Sequence, residues 1–121
     1  MSDITTVVHN YIAIWNETTP EERRALIADT FTDGARYLEP LQSGDGRDGI
    51  DAMVAAAQQQ FPGTRFELSA GPDAHHDRVR FAWRLVNAAD GTPIAGGVDF
   101  ATVDGDGRLH DVTGFVEPAT S

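Results

Sequence analysis

The sequence predicts an α+β fold in which helices pack on one side of an antiparallel sheet. Three observations carry that expectation. Apolar residues recur at helical spacing through the first sixty positions, and from about residue 64 they alternate at strand spacing. Short turn signals separate the strand-like segments, which makes consecutive strands antiparallel neighbours. Helices first and strands afterwards is the order of an α+β domain.

In residues 3–17, Ile4, Val7, Val8, Tyr11, Ile12 and Trp15 form one apolar stripe, which Asn16, Glu17, Thr18 and Thr19 break. Thr19-Pro20-Glu21-Glu22 restarts a helix: Thr19 is a good N-cap, Pro20 suits the first helical position and Glu22 completes a capping box. This helix is expected to run to about Thr30, with Ala25, Leu26 and Ala28 available for packing. Phe31 carries the apolar signal into the next turn, and Thr32-Asp33-Gly34 reads as that turn. Residues 35–39 read as a short strand ended by Pro40, and residues 42–46 as a polar, glycine-rich loop. The third helix is expected from near Asp48, because Ile50, Met53, Val54, Ala57 and Phe61 repeat at helical spacing before Pro62-Gly63 stops them.

Four strands are expected after that. Residues 64–70 put Phe66 and Leu68 on one side. Residues 78–86 put Val79, Phe81, Trp83 and Leu85 on one face and Arg78, Arg80, Ala82 and Arg84 on the other. Ala89-Asp90-Gly91-Thr92 is a hairpin signal before the strand at 93–103. Asp104-Gly105-Asp106-Gly107 turns the chain into the last strand, 108–117.

The length of 121 residues fits one domain, 1–121, and no repeat or low-complexity linker divides it. Nineteen acidic residues face nine basic ones, all arginine, for a formal charge of -10. Such a surface repels phosphate backbones and anionic lipid, so neither nucleic acid nor a membrane surface is expected as a partner. The absence of cysteine removes disulfides, thiolate catalysis and cysteine zinc sites. No apolar run has the length to span a bilayer. Met1-Ser2-Asp3-Ile4 lacks the basic start of a signal peptide, which predicts a cytoplasmic protein.

The order of elements resembles the NTF2-like superfamily, in particular its SnoaL-like and ketosteroid-isomerase-like members. The resemblance spans residues 7–117. It rests on Tyr11-Ile12-Ala13-Ile14-Trp15-Asn16 in the first helix and on the run from Phe31 through Asp33-Gly34-Ala35-Arg36-Tyr37-Leu38-Glu39-Pro40. Gly46-Arg47-Asp48-Gly49-Ile50 and Asp104-Gly105-Asp106-Gly107-Arg108-Leu109 add to it. It implies a cone: a curved antiparallel sheet wrapped around three N-terminal helices, enclosing an apolar pocket open at one end. It also implies a homodimer through the sheet. Because the superfamily holds isomerases, cyclases, hydrolases and binders, the fold alone names no reaction.

Ketosteroid isomerases are similar at three positions, which fall on Tyr11, Glu39 and Asp99. By that resemblance Glu39 moves the proton, while Tyr11 and a neutral Asp99 donate hydrogen bonds to an enolate oxygen. The residues themselves agree in part. Tyr11 lies on the apolar stripe, and a buried phenol needs a partner. Asp99 shares its strand face with Gly97, Ala101 and Val103, so it must be paired, neutral or open to water. Glu39 is one methylene longer than the aspartate of the family, which displaces the base. Plainer roles stay open: Tyr11 as a rim residue, Asp99 paired with Arg84, Arg80 or a backbone amide, and Glu39 as a solvated strand-end charge.

Other constellations are weaker. His75 and His76 are adjacent on a strand and point to opposite faces, which does not suit one metal ion, and His110 beside Asp111 fails the same test. His9 faces away from Tyr11. Arg84 with Asp99 is similar to an epoxide-hydrolase network but lacks its Arg-x-Asp motif. Gly46-Arg47-Asp48-Gly49 lacks the residues of a phosphate loop. Arg78, Arg80 and Arg84 are expected to form ion pairs on an outer face. Phe31, Met53, Val54, Phe61, Trp83, Val98 and Phe100 are expected in the core or pocket wall. The sequence thus points to an isomerase-like enzyme, or a related cyclase or hydrolase, acting by proton transfer on a small apolar carbonyl compound. No metal or cofactor is implied. The alternative is a non-catalytic ligand-binding or dimerisation module.

Overall fold

The computed structural model describes residues 3–118; Met1 and Ser2, which enter the leader expectation, lie outside it. The apolar stripe coils into α1 (Ile4–Asn16), which buries Val7, Val8, Tyr11 and Ile14. α2 (Pro20–Thr30) begins on Pro20, but Thr19 makes no side-chain cap. Instead the Thr19 backbone N–H donates to Glu17 Oε2 at 3.1 Å, so the acceptor comes from upstream and the capping box does not form.

The fully buried residues of α2 are Arg23, Ile27 and Thr30; of the three expected to pack, Leu26 lies half-buried against the core, Ala28 is half-buried and Ala25 is exposed. A guanidinium can sit there because its charge is matched. Arg23 Nε donates to Asp51 Oδ1 at 2.6 Å, and its Nη1 donates to the Glu17 carbonyl and to Gln58 Oε1. One side chain thereby ties α2 to the end of α1 and to α3.

β1 (Phe31–Leu38) follows α2 without a turn. Thr32-Asp33-Gly34 lies within the strand, at a register shift between Phe31 and Arg36. Its turn chemistry is spent on an irregularity because sheet pairing overrides local preference. Arg47 braces this junction by donating to the Ala28 and Phe31 carbonyls. Residues expected as a loop form β2 (Ser43–Asp45), paired antiparallel with β1. α3 (Gly46–Gln60) starts two residues earlier than expected and buries Ile50, Met53 and Val54.

β3 (Thr64–His75) runs past Ala70 through two irregularities in its register with β4 (Arg78–Asn87). β5 (Pro93–Val103) and β6 (Leu109–Pro118) complete a six-stranded sheet in the order β2-β1-β6-β5-β4-β3. The four strands from β3 to β6 pair antiparallel, as short turns require. β1 and β6 pair parallel, so the sheet is mixed rather than wholly antiparallel. Short-turn reasoning could not reach that pair, because the rest of the chain separates the two strands. Only two of the three helices precede all the strands, since α3 follows β1 and β2.

The sheet is curved and does not close on itself. One core fills its inner side, where Val8, Ile14, Ile27, Val54, Leu109 and Val112 are covered almost completely. The outer face carries the ion pairs Arg78–Asp77, Arg80–Asp73 and Arg84–Glu67. Leu38, Phe100 and Phe115 are exposed there.

Arg23→Ala leaves Asp51 with Arg24 alone, at 3.4 Å and largely exposed. The expected loss is about 3 kcal/mol, the usual cost of removing one partner of a buried pair. Urea unfolding measures it, and a loss below about 0.5 kcal/mol refutes the brace.

Candidate active site

The open end of the cone holds a cavity of about 130 Å³ whose lining includes Tyr11, Trp15, Tyr37, Glu39, Phe66, Trp83 and Asp99. α3 contributes Met53 and Ala57, and Phe61 follows at its end. Exposed Leu41, Phe61 and Val116 edge the cavity. Tyr11 and Asp99 form its floor, at 2 % and 1 % exposure.

Alternation along β5 turns Asp99 inward with Gly97 and Ala101. The helical stripe of α1 aims Tyr11 at the same point, and the Tyr11 hydroxyl donates to Asp99 Oδ2 at 2.6 Å. β4 brings a second donor: Trp83 Nε1 donates to Asp99 Oδ1 at 3.2 Å. Each carboxylate oxygen therefore accepts one donor, the phenol bond the shorter, and among the described residues no arginine takes part. Arg80 and Arg84 lie on the outer face with Asp73 and Glu67, so neither pairs with Asp99, and among the described residues no arginine–Asp99 network forms.

Two glycines make room for this meeting. Gly97 is the register partner of Trp83. A Cβ on it would stand 2.6 Å from Trp83 Cζ2 and collide with the Phe115 carbonyl oxygen. Gly114 is the register partner of Asp99 on the other side. A Cβ there would stand 2.8 Å from Asp99 Oδ1, 3.1 Å from the Tyr37 hydroxyl and 3.5 Å from Glu39 Cβ. Those short distances put Asp99, Tyr37 and Glu39 around a single point of β6.

The electrostatics follow from burial. Desolvation pushes the Asp99 carboxyl from 3.8 up to about 6. The bonds from Tyr11 and Trp83 oppose that rise, and the charge of Glu39 adds to it. Roughly nine tenths of such a group is ionised at pH 7. Burial, then the charge of Asp99, raises the Tyr11 and Tyr37 hydroxyls far above the ordinary phenol range, so both stay protonated donors. A desolvated carboxyl that titrates near neutrality can take up and release a proton at working pH. Among the described residues no group of three or more His, Asp or Glu is placed to hold a metal ion.

Of the residues expected in the core or pocket wall, Met53, Phe61 and Trp83 line the cavity. Phe31 and Val54 lie in the core. Phe100 is 45 % exposed on the outer face, because the alternation that turns Asp99 inward turns its neighbours Val98 and Phe100 outward. Sequence reasoning placed Trp83 on the right face and missed its bond to Asp99. Tyr37 entered only as one residue of the run from Phe31 to Pro40 that carries the resemblance. His9, His75 and His76 are exposed, and His110 shares a 2.8 Å hydrogen bond with Thr32.

Asp99 should also mark the pH dependence of stability. Its pKa is higher in the fold than in the open chain, so its contribution is present in full below about pH 4 and is lost as pH rises through 6. Above that, the buried charge costs roughly 3 kcal/mol. Asp99→Asn can still accept from Trp83 and can donate to the Tyr11 oxygen. It should be more stable than the parent by about 1–3 kcal/mol at pH 7 and equal to it near pH 4. Urea unfolding of both proteins across this range checks the difference; a gap independent of pH contradicts it. Trp83→Phe removes a donor that favours the charged form and should raise the Asp99 titration further, as read by carboxyl carbon NMR.

The geometry invites comparison with known proteins. No curated protein matches the sequence significantly. Among solved structures, a candidate isomerase of the SnoaL-like family from Agrobacterium tumefaciens strain C58 superimposes with a TM-score of 0.89. It is 42% identical, over 97% of this chain and 99% of that one. A candidate SnoaL-like polyketide cyclase from Jannaschia sp. CCS1 has a TM-score of 0.70 and 22% identity, over 96% of this chain and 89% of that one. An NTF2-like protein of unknown function from Exiguobacterium sp. 255-15 has a TM-score of 0.70 and 18% identity, over 95% and 99%. The last two are similar in fold alone. The sequence profile of the SnoaL-like domain matches residues 8–112, which run from the first turns of α1 into β6. With that match and its 42% likeness to one member, the chain belongs to the SnoaL-like family and has the NTF2-like cone fold.

Proposed function

We propose that the protein is a small-molecule enzyme that moves protons on an apolar, carbonyl-bearing ligand held in the cone. Asp99 and Glu39 are its acid/base groups, and Tyr11 assists. The observation that supports this reading most is Asp99 itself: a carboxylate buried at the bottom of an apolar cavity, held by two donors, with a pKa of about 6. General-base catalysis is most effective when the base titrates close to working pH and is desolvated. The Agrobacterium relative, described as a candidate isomerase, is compatible with this chemistry.

The reaction is an allylic proton shift. Asp99 accepts a proton from the carbon next to the carbonyl, and the electron pair moves onto the carbonyl oxygen as an enolate. The Tyr37 hydroxyl, kept protonated by its surroundings, donates to that oxygen. The proton then returns at the far end of the conjugated system, so atoms and charge balance. Glu39, half-buried at the cavity wall, is the second proton station. These roles differ from the ones the ketosteroid-isomerase resemblance implies. There Asp99 is neutral and Tyr11 donates to the ligand. Here the Tyr11 proton already points at the carboxylate, which favours an ionised Asp99.

Conversion of cyclohex-3-enone to its conjugated isomer, followed by ultraviolet absorbance, tests the reading. Asp99→Asn should lower kcat by roughly 10²–10⁴-fold and Glu39→Gln by less. Tyr11→Phe should shift the pH–rate profile upward. Full activity in Asp99→Asn removes Asp99 from the chemistry. Ligand-induced stabilisation without turnover in the parent favours the binding module instead.

A further inference from the structure

We infer that the cavity selects a single-ring, uncharged carbonyl compound and turns away both fused polycyclic ketones and carboxylates. The inference rests on the proposed reading only in taking a carbonyl compound as the ligand.

The cavity measures about 130 Å³. An apolar cavity of roughly 150 Å³ holds one benzene molecule. One six-membered ring with a carbonyl therefore fills the inner space; a second fused ring is buried only if the walls part, and otherwise stands in the open mouth edged by the exposed Leu41, Phe61 and Val116. Those walls are braced against parting. Phe66 packs between Trp15 and Trp83, with ring centroids at 5.3 and 5.6 Å, and Trp15 packs on Tyr37 at 5.8 Å. The Phe66 backbone is clamped to the end of α1 at two points. Its N–H donates to Asn16 Oδ1 at 2.8 Å, and its carbonyl accepts from Asn16 Nδ2 at 2.9 Å. The Trp15 carbonyl is held by Gln58 Nε2 at 3.1 Å. Trp83 lies over Gly97, where even a methyl group would collide with it.

Charge sets the second limit. Glu39 and Asp99 are the charged residues of the lining, and no arginine or histidine joins them. An anionic ligand would meet two carboxylates with no counter-charge, in a protein whose formal charge is already -10. A neutral carbonyl oxygen instead finds the Tyr37 hydroxyl as a donor.

The protein contains two tryptophans, and both line the cavity, so their two indole N–H NMR signals report occupancy at either wall. Four probes separate the alternatives: cyclohex-2-enone and benzaldehyde as neutral single rings, 1-tetralone as a fused pair, and benzoate as the anion. The first two should shift the indole signals saturably. 1-Tetralone and benzoate should bind at least about tenfold more weakly. Phe66→Ala should admit 1-tetralone, with Phe66→Leu as the milder substitution if the first fails to fold. Equal binding of 1-tetralone and cyclohex-2-enone to the parent overturns the size rule. Equal binding of benzoate and benzaldehyde overturns the charge rule. Failure of both single-ring probes to bind overturns the inference entirely. Single-ring binding without proton transfer leaves the selection standing and removes only the proposed chemistry.

Discussion

One hydrogen bond organises this protein: the Tyr11 hydroxyl to Asp99, across 88 residues of chain. An ionised carboxylate placed among apolar groups is costly unless donors meet it. Here the donors come from two different elements, a phenol from α1 and an indole from β4. A helix docked inside a curved sheet presents both to one strand. A carboxylate whose burial opposes folding is thus also one of the points that fix the helix against the sheet. The donors do not erase the cost; they hold the group near neutrality instead of letting it rise further.

The surroundings fit that role through small residues as much as large ones. Gly97 and Gly114 flank Asp99 on its own strand and on the next, and each lacks the side chain that would fill the site. The aromatic residues then pack edge to face or tilted against one another around the space that is left. Such packing gives a defined wall, because each ring is fixed by its neighbours. The outer face follows opposite rules, with local ion pairs between solvated side chains that add little stability.

Much of this was legible in residue order, and the reasons are local. Alternation in residues 78–86 placed Trp83 and Phe81 inward correctly, because period-two patterning is a direct image of a sheet with one covered face. The stripe containing Tyr11 was legible for the same reason at helical period. The same rule, applied to Asp99, excludes Phe100 from the wall, yet its bulk suggested otherwise. Arg23 was missed because a buried charge is recognisable only through Asp51 and Gln58, which are distant in sequence. Thr32-Asp33-Gly34 was misread because turn propensity is weak against the pairing of β1 with β6. Family resemblance brought Tyr11, Glu39 and Asp99 to notice together, whereas Trp83 and Tyr37 needed coordinates to show what they face.

The parallel seam between β1 and β6 carries a consequence for assembly. β6 follows every other strand in the chain, yet it sits in the interior of the sheet between β1 and β5. Until it is synthesised, β1 and β5 lack the strand that each pairs with in the finished sheet, and those edges stay open. Closing that gap demands contacts between remote stretches of polypeptide, which slows maturation and lengthens the period in which another nascent chain could pair there instead.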